Sequence, residues 1–423
     1  MSNNIADVFE KYSGYQVDSR LIEPGNLFFA LSGTKADGHS FLSEVARRGG
    51  KGAVVDQKYV GEDFGLRLFR VPCVLSALQL CAHAQWKRIQ PYVIGVTGSV
   101  GKTTTKELIA TVLEGERPLA KTPKSLNSQI GLPLSILSMT EPLWVLEMGM
   151  SQPGEITDLV RLAPPDLAVI GRIALAHAAF FPGGVEDIAA AKAEILSQSQ
   201  TKIALIHAAS SHFIPIAQAP VPQKITFCGG DYIMLQENRQ YVIRERGVDS
   251  PSFTLTTSAT HFGENALAAA AVARILGLSW EVICSRMPRL LPVSGRFETK
   301  LINHVTYIHD AYNASPVAVK AALENLPPGK RKIAVLGTMR ELGSYTQESH
   351  LDVGKSALEH VDVLIGFGVE CASMVDLFSK AGRPAMLFEE FSSLKLHLQS
   401  IVEPGDVVLV KGSNSLALWR IFD

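Results

Sequence analysis

The sequence predicts an α/β fold with mainly parallel sheets, divided into three domains at residues 1–90, 91–292 and 293–423. Three observations carry that prediction. The chain has 423 residues, more than one ordinary core holds, and its length fits roughly three domains. Short apolar runs alternate with segments of helical period, the pattern of strands covered by helices. The spacing of that alternation changes twice, just before Pro91 and around Pro288–Pro292.

In the first unit, Asn26–Leu31 and Gly52–Asp56 read as strands. Between them Phe41, Leu42, Val45 and Ala46 fall at helical spacing and predict a helix over Phe41–Arg48. The second unit opens on the buried strand Val93–Val96, followed by a helix from about Lys102 with Leu108, Ile109, Val112 and Leu113 on one face. Leu143–Glu147, Leu167–Ile170 and Ile203–Ile206 are further strands. An alanine-rich helix over Asn265–Leu276 stops at Gly277, a residue suited to the left-handed C-terminal cap. The third unit has strands at Val305–Ile308, Ile333–Leu336, Val361–Ile365 and Val407–Val410. Each is followed closely by Gly, Asp or Lys, at the edge where open parallel sheets place ligands.

Composition narrows the function. A net charge of −1 gives no overall basic field for nucleic acid or an anionic membrane surface. No apolar run approaches the ~20 residues of a bilayer span, and the N-terminus lacks a basic, then apolar, leader pattern. A cytoplasmic protein without membrane insertion is expected. Its five cysteines are scattered, with no Cys-x-x-Cys pair, and read as structural thiols.

Residues 95–105 read Gly-Val-Thr-Gly-Ser-Val-Gly-Lys-Thr-Thr-Thr, between a buried strand and an amphipathic helix. Glycines such as Gly98 and Gly101 let the amides around Ser99 turn onto phosphate oxygens, and the helix N-terminus adds partial positive charge. Lys102 can reach terminal phosphates, and the Thr103 hydroxyl, beside Thr104, can ligate Mg²⁺. The strict loop pattern asks for a small residue at Val96, so this is a variant form.

Glu147 closes an apolar run and is expected at the same sheet edge, either as an Mg²⁺ ligand or as a cap of the turn at Gly149. His177 sits among alanines, where a satisfied core histidine is the ordinary reading. Lys192, in Ile188-Ala-Ala-Ala-Lys192, reads unaided as a solvated helix residue.

Together the motifs resemble the Mur ligases, the ATP-dependent amide-forming enzymes of peptidoglycan precursor synthesis. In order, they are Asp18-Ser-Arg20, Gly25–Leu31, Asp37-Gly-His39, Thr97–Thr103, Asn127 with Ile130–Pro133, and Glu147-Met-Gly149 with Gly154-Glu-Ile156. There follow Ala176-His177, Ala191-Lys192, His261 with Asn265–Ala268, Ser294–Phe297, Asp310–Pro316 and Glu341-Leu-Gly343. The resemblance implies an N-terminal UDP-binding domain, a central phosphate-loop ATPase and a C-terminal Rossmann-like domain that closes over the nucleotide. It implies Lys102, His177 and Lys192 at the reaction centre, with Thr103, Glu147, His177 and a carbamylated Lys192 holding two Mg²⁺ ions. Asn265, Arg296 and Asp310 fall at positions that contact the nucleotide. Ser19, Arg20, Asp37 and His39 fall where the UDP-sugar is held, and Asn127, Tyr312 and Asn313 at further substrate contacts.

Within the family the pattern favours the dipeptide-adding member, with UDP-N-acetylmuramoyl-tripeptide and D-alanyl-D-alanine as substrates, and a monomer is expected. The member that adds the third residue is the nearest alternative, but its diaminopimelate-specific Asp-Asn-Pro-Arg motif does not occur here. A phosphate-loop ATPase that makes no amide bond is the alternative from another class. Three positions depart from the family pattern. Thr338 stands where an acidic residue is frequent, Asn414 where arginine is frequent, and Ser125 where asparagine is frequent.

Overall fold

The computed structural model describes residue 5, residues 9–33 and residues 36–423. Met1–Asn4 and Ala6–Val8, in the stretch read above for a leader, lie outside them. The architecture is α/β, with three mainly parallel sheets arranged in sequence along the chain.

The first sheet is four-stranded, in the order Tyr15–Gln16, Leu27–Phe29, Gly52–Asp56, Arg67–Val71, and all its pairs are parallel. The predicted helix spans Leu42–Arg47. A longer helix, Val74–Ile89, was not legible as such. Its Leu78 and Cys81 pack with Phe29 and Val54 of the first sheet, while Gln85 Nε2 donates to Met139 O of the next unit at 2.7 Å. This helix therefore joins two cores.

The second sheet has nine strands. In spatial order they begin Leu119–Lys121, Leu143–Glu147, Tyr92–Thr97, Leu167–Ile170, Ile203–His207 and Gln223–Phe227, all parallel, and end in the antiparallel hairpin Tyr232–Glu237/Gln240–Glu245 and the short Val248–Asp249. Tyr92–Thr97 is the switch point, because later strands are laid down on both sides of it. Alternation sends Ile94 and Val96 to one face, against Leu108, Ile109 and the alanines Ala266–Ala273, and Val93 to the other, against Ile156 and Ile188. The small alanines let the helix Thr260–Ile275 lie close against Lys102–Leu113. That helix starts five residues earlier than the alanine pattern suggests.

The third sheet has six strands: Glu298–Ile302, Val305–His309, Val407–Lys411, Lys332–Gly337, Val363–Phe367 and Ala385–Phe388. Only the first pair is antiparallel. No helix among the described residues is long and apolar enough to cross a membrane.

Candidate active site

The register of the second sheet builds the site. Val96 pairs with Glu147 on one side, and Thr97 pairs with Ile170 on the other. The loop after Thr97 is thus flanked by the carboxylate of one neighbouring strand and the segment Gly171–His177 of the other. A crevice beside the switch point is where open α/β sheets receive ligands. Val96 itself is a buried strand residue, 1% exposed. The departure from the strict loop pattern therefore lies in the core and leaves the loop's turn unaltered.

Gly101 has φ +79, and a Cβ there would collide with Asn265 Oδ1, so both conformation and space require glycine. Ser99 anchors the loop, its Oγ donating to Ala174 O at 2.7 Å and accepting from Ala174 N at 3.0 Å. Lys102 Nζ folds back onto Gly98 O at 2.9 Å. Burial lowers its pKa, Glu147 opposes that shift, and Arg296 adds to it.

Glu147 is 1% exposed. Its Oε1 accepts from Asn127 Nδ2 at 2.6 Å, while Oε2 is buried without a hydrogen-bond partner, 3.6 Å from Lys106 Nζ. Asn127, expected at the substrate, orients the carboxylate. Lys106 was not anticipated, since nothing in a Thr-Thr-Thr-Lys run marks its last residue as buried. Its ammonium is nonetheless fully enclosed and donates to Thr122 O at 2.7 Å and to Lys124 O.

The third domain supplies the opposite wall of a cavity of about 640 Å³. Arg296 Nη2 reaches across to Thr103 Oγ1 at 2.8 Å and Ser125 Oγ at 3.1 Å, with its guanidinium over the Tyr312 ring at 4.1 Å. Asp310 accepts from Lys411 Nζ at 2.6 Å and from Phe297 N at 3.1 Å. Asn313 also lines the cavity, its Oδ1 accepting from Ala314 N at 2.9 Å. Asn265 lines it too, but its amide bridges Thr105 Oγ1 and His261 O. Thr104 and Ser99 complete the loop side.

His177, at φ +57, bonds through Nδ1 to Glu341 Oε2, a second link between the domains. Glu341 belongs to a motif noted in the sequence, but its contact with His177 spans 164 residues and leaves no local signal. Burial and then Lys102 push the His177 pKa down, and Glu341 pulls it up.

Lys192 overturns its ordinary reading as a solvated helix residue. It is 1% exposed, and burial, with Lys102 nearby, drives its pKa well below the usual lysine value. The aliphatic stretch around it is helical as expected, but that face of the helix meets the sheet. Gly98 and Lys192 are not among the residues that line the cavity.

The four N-terminal residues stand apart from this cavity. Ser19 Oγ donates to Glu44 Oε2 at 2.7 Å, and Arg20 pairs with Asp18. His39 Nε2 accepts from Asp56 N at 2.9 Å, so its Nδ1 carries the proton and donates to Asp37 Oδ1 at 2.7 Å. One further cluster, His207, Cys228 and Glu264, brings three ligand-type atoms within 4.8 Å. His207 Nδ1 accepts from Ala209 N at 3.1 Å, which leaves the proton on Nε2, facing Glu264, and disfavours a metal there.

Fold and cavity define a class: a phosphate-loop enzyme whose cleft is shared by two α/β domains. Two family descriptions match the chain, Mur ligase middle domain over residues 96–273 and Mur ligase, glutamate ligase domain over residues 295–414. The UDP-N-acetylmuramoyl-tripeptide–D-alanyl-D-alanine ligase of Synechocystis sp. is 33% identical over 413 residues, 96% of this chain and 90% of the relative. The enzyme of that name from Bacillus subtilis is 33% identical over 426 residues, 96% and 92% of the two chains. The chain belongs to the Mur ligase family. Among solved structures, MurF ligase from Thermotoga maritima in complex with ADP superposes with a TM-score of 0.82 at 29% identity, covering 98% of this chain and 97% of that one. MurF from Acinetobacter baumannii gives 0.88 at 25% identity, covering 100% and 97%.

Proposed function

We propose that the protein is an ATP-dependent ligase that joins D-alanyl-D-alanine to UDP-N-acetylmuramoyl-tripeptide through an acyl phosphate, in peptidoglycan precursor synthesis. The observation that carries this reading is the shared cleft. It sets a phosphate loop, Glu147 and His177 on one wall against Arg296 and Asp310 on the other. Relatives of that activity match across nearly the whole chain.

In this reading residues 1–90 hold the UDP-sugar through Ser19, Arg20, Asp37 and His39. Residues 91–292 bind ATP, and residues 293–423 close over it. The tripeptide carboxylate attacks the γ-phosphate and displaces ADP, and the dipeptide amine then attacks the resulting acyl carbon, losing a proton as phosphate is released. Lys102 leaves the carbonyls of its own loop to meet the phosphates, joined by the amides of Ser99–Thr104. Arg296 contributes a second cation from the facing wall. Holding the reactants in line supplies much of the remaining acceleration, and domain closure keeps water from the acyl phosphate.

The residues present fit Mg²⁺. Glu147 Oε2 is buried and lacks a hydrogen-bond partner among the described residues, and Thr103 and His177 line the same cavity with a hydroxyl and an imidazole. Bound there, the ion would offset the repulsion between carboxylate and polyphosphate. Burial disfavours charging Lys192, and its neutral amine could take up CO₂ and release a proton, which would give an anionic oxygen ligand for a second ion.

Phosphate release with purified monomeric protein tests the reading. It should require ATP, UDP-linked tripeptide and D-alanyl-D-alanine together; turnover indifferent to the dipeptide would overturn it. Lys192→Ala should lose roughly 100-fold in rate, with partial recovery on adding short carboxylic acids. Full activity in that variant would end the carbamate assignment.

A further inference from the structure

Five cationic side chains line the cavity: Lys102, Arg172, Arg296, Arg340 and Lys411. Four are committed to partners. Lys102 sits on the carbonyl of Gly98, Arg172 lies 3.9 Å from Glu264, Arg296 bonds Thr103 and Ser125, and Lys411 is paired with Asp310. Arg340 alone has no side-chain hydrogen bond or ion pair among the described residues, and it is exposed.

Its backbone is nevertheless held firmly. Arg340 N donates to Ser413 Oγ at 2.9 Å, and Met339 N donates to the His350 ring at 3.1 Å. The next residue, Glu341, has φ +64 and bonds His177 across the domain boundary. The guanidinium, which has no direct partner among the described residues though its charge is felt by the Glu370 carboxylate, thus extends from a fixed base, one residue from the contact that joins the two walls. Asn414 and Ser415 flank the same part of the cavity with uncharged polar groups.

The acceptor in the proposed reaction is a zwitterion whose carboxylate lies about 7 Å from the attacking amine, the reach of two extended residues. The amine must approach the acyl carbon near Lys102 and His177, so the carboxylate needs a cation on the far wall. We propose that Arg340 binds the carboxylate of the acceptor dipeptide and so selects acceptors with a free C-terminus. This assignment rests on the ligase reading. The planar guanidinium fork matches a carboxylate with two parallel N–H···O bonds, which a point charge does not reproduce.

The test compares wild type, Arg340→Met and Arg340→Lys with two acceptors, D-alanyl-D-alanine and its C-terminal amide. Wild type should prefer the acid by roughly 10- to 100-fold in kcat/KM, the worth of one charge-assisted contact. Arg340→Met should raise KM for the acid by a similar factor and lose the preference, with KM for ATP unaltered. Arg340→Lys should recover part of it. Melting curves like wild type exclude a folding defect at this exposed position. Preserved acid preference in Arg340→Met overturns the assignment, as does a rise in KM for ATP in place of the dipeptide. Wild-type protein with no dipeptide-dependent turnover would overturn the ligase reading itself, a result distinct from either.

Discussion

The N-terminal polar residues and the cleft residues belong to the same chemical types but are in different states of bonding. Around Ser19, Asp37 and His39 each polar group has a partner within its own domain, and His39 uses both ring nitrogens to tie its turn to the strand at Asp56. At the cleft, among the described residues, Glu147 keeps a buried oxygen without a hydrogen bond, and Lys192, under the influence of Lys102, is a buried amine whose charging burial disfavours. Burying a polar group without partners costs stability, and a ligand in the cleft would offset that cost. Satisfied groups hold the turns that shape a surface. The difference separates groups whose bonding is complete within the protein from groups whose bonding is not.

Lys102 and Lys106, one turn apart on the same helix, give the sharpest way to break that comparison. Lys102→Ala should reduce ligation by about 1,000-fold or more, with a melting curve close to wild type; undiminished phosphate release in this variant would remove the loop from the mechanism. Lys106→Met should act on stability, because it strands Glu147 and two carbonyls in the interior. A loss of about 3 kcal/mol in urea unfolding is expected, and a stability equal to wild type would contradict a structural role.

His39→Ala extends the test to the N-terminal domain. Losing a bond to a carboxylate and one to a backbone amide should cost about 2 kcal/mol, measured by denaturant, while phosphate release at saturating substrates stays within a few-fold of wild type. The smallest effect concerns pH. Burial and then Lys102 hold His177 below the ordinary histidine range, which favours its neutral form. The acid limb of the rate profile should therefore fall under the usual histidine range. Glu341→Gln removes the opposing pull, lowers this pKa further and should move the limb to lower pH. A shift to higher pH would show that Glu341 does not act on His177 in solution.

Much of this was legible in the chain. The loop at Gly98–Thr103, the strand ending at Glu147 and the later strands announce themselves because apolar runs and glycine turns are local signals. Missing from that reading were the helix Val74–Ile89, the hairpin Tyr232–Glu245 and the edge strands Glu298–Ile302 and Ala385–Phe388. Their burial patterns are mixed, with exposed positions interspersed, and their pairing depends on neighbours distant in sequence. Lys192 shows the same limit at one residue. A lysine at the end of an alanine run reads as solvated until the sheet covering that face of the helix is known.

The sequence by itself determined the class, because a loop cradling phosphate must be written in contiguous residues with glycine where φ is positive, and because the alternation of strand and helix is a short-range pattern. It also fixed which side chains were candidates. Only the tertiary structure decided their states. Glu147 meets Asn127 and Lys106, Arg296 crosses to Thr103, and His177 meets Glu341 through contacts between residues 20 to 193 positions apart. Burial and electrostatics are sums over such distant neighbours. They turned Lys106 into a buried side chain bonded to two carbonyls and Lys192 into an amine that burial strongly disfavours charging.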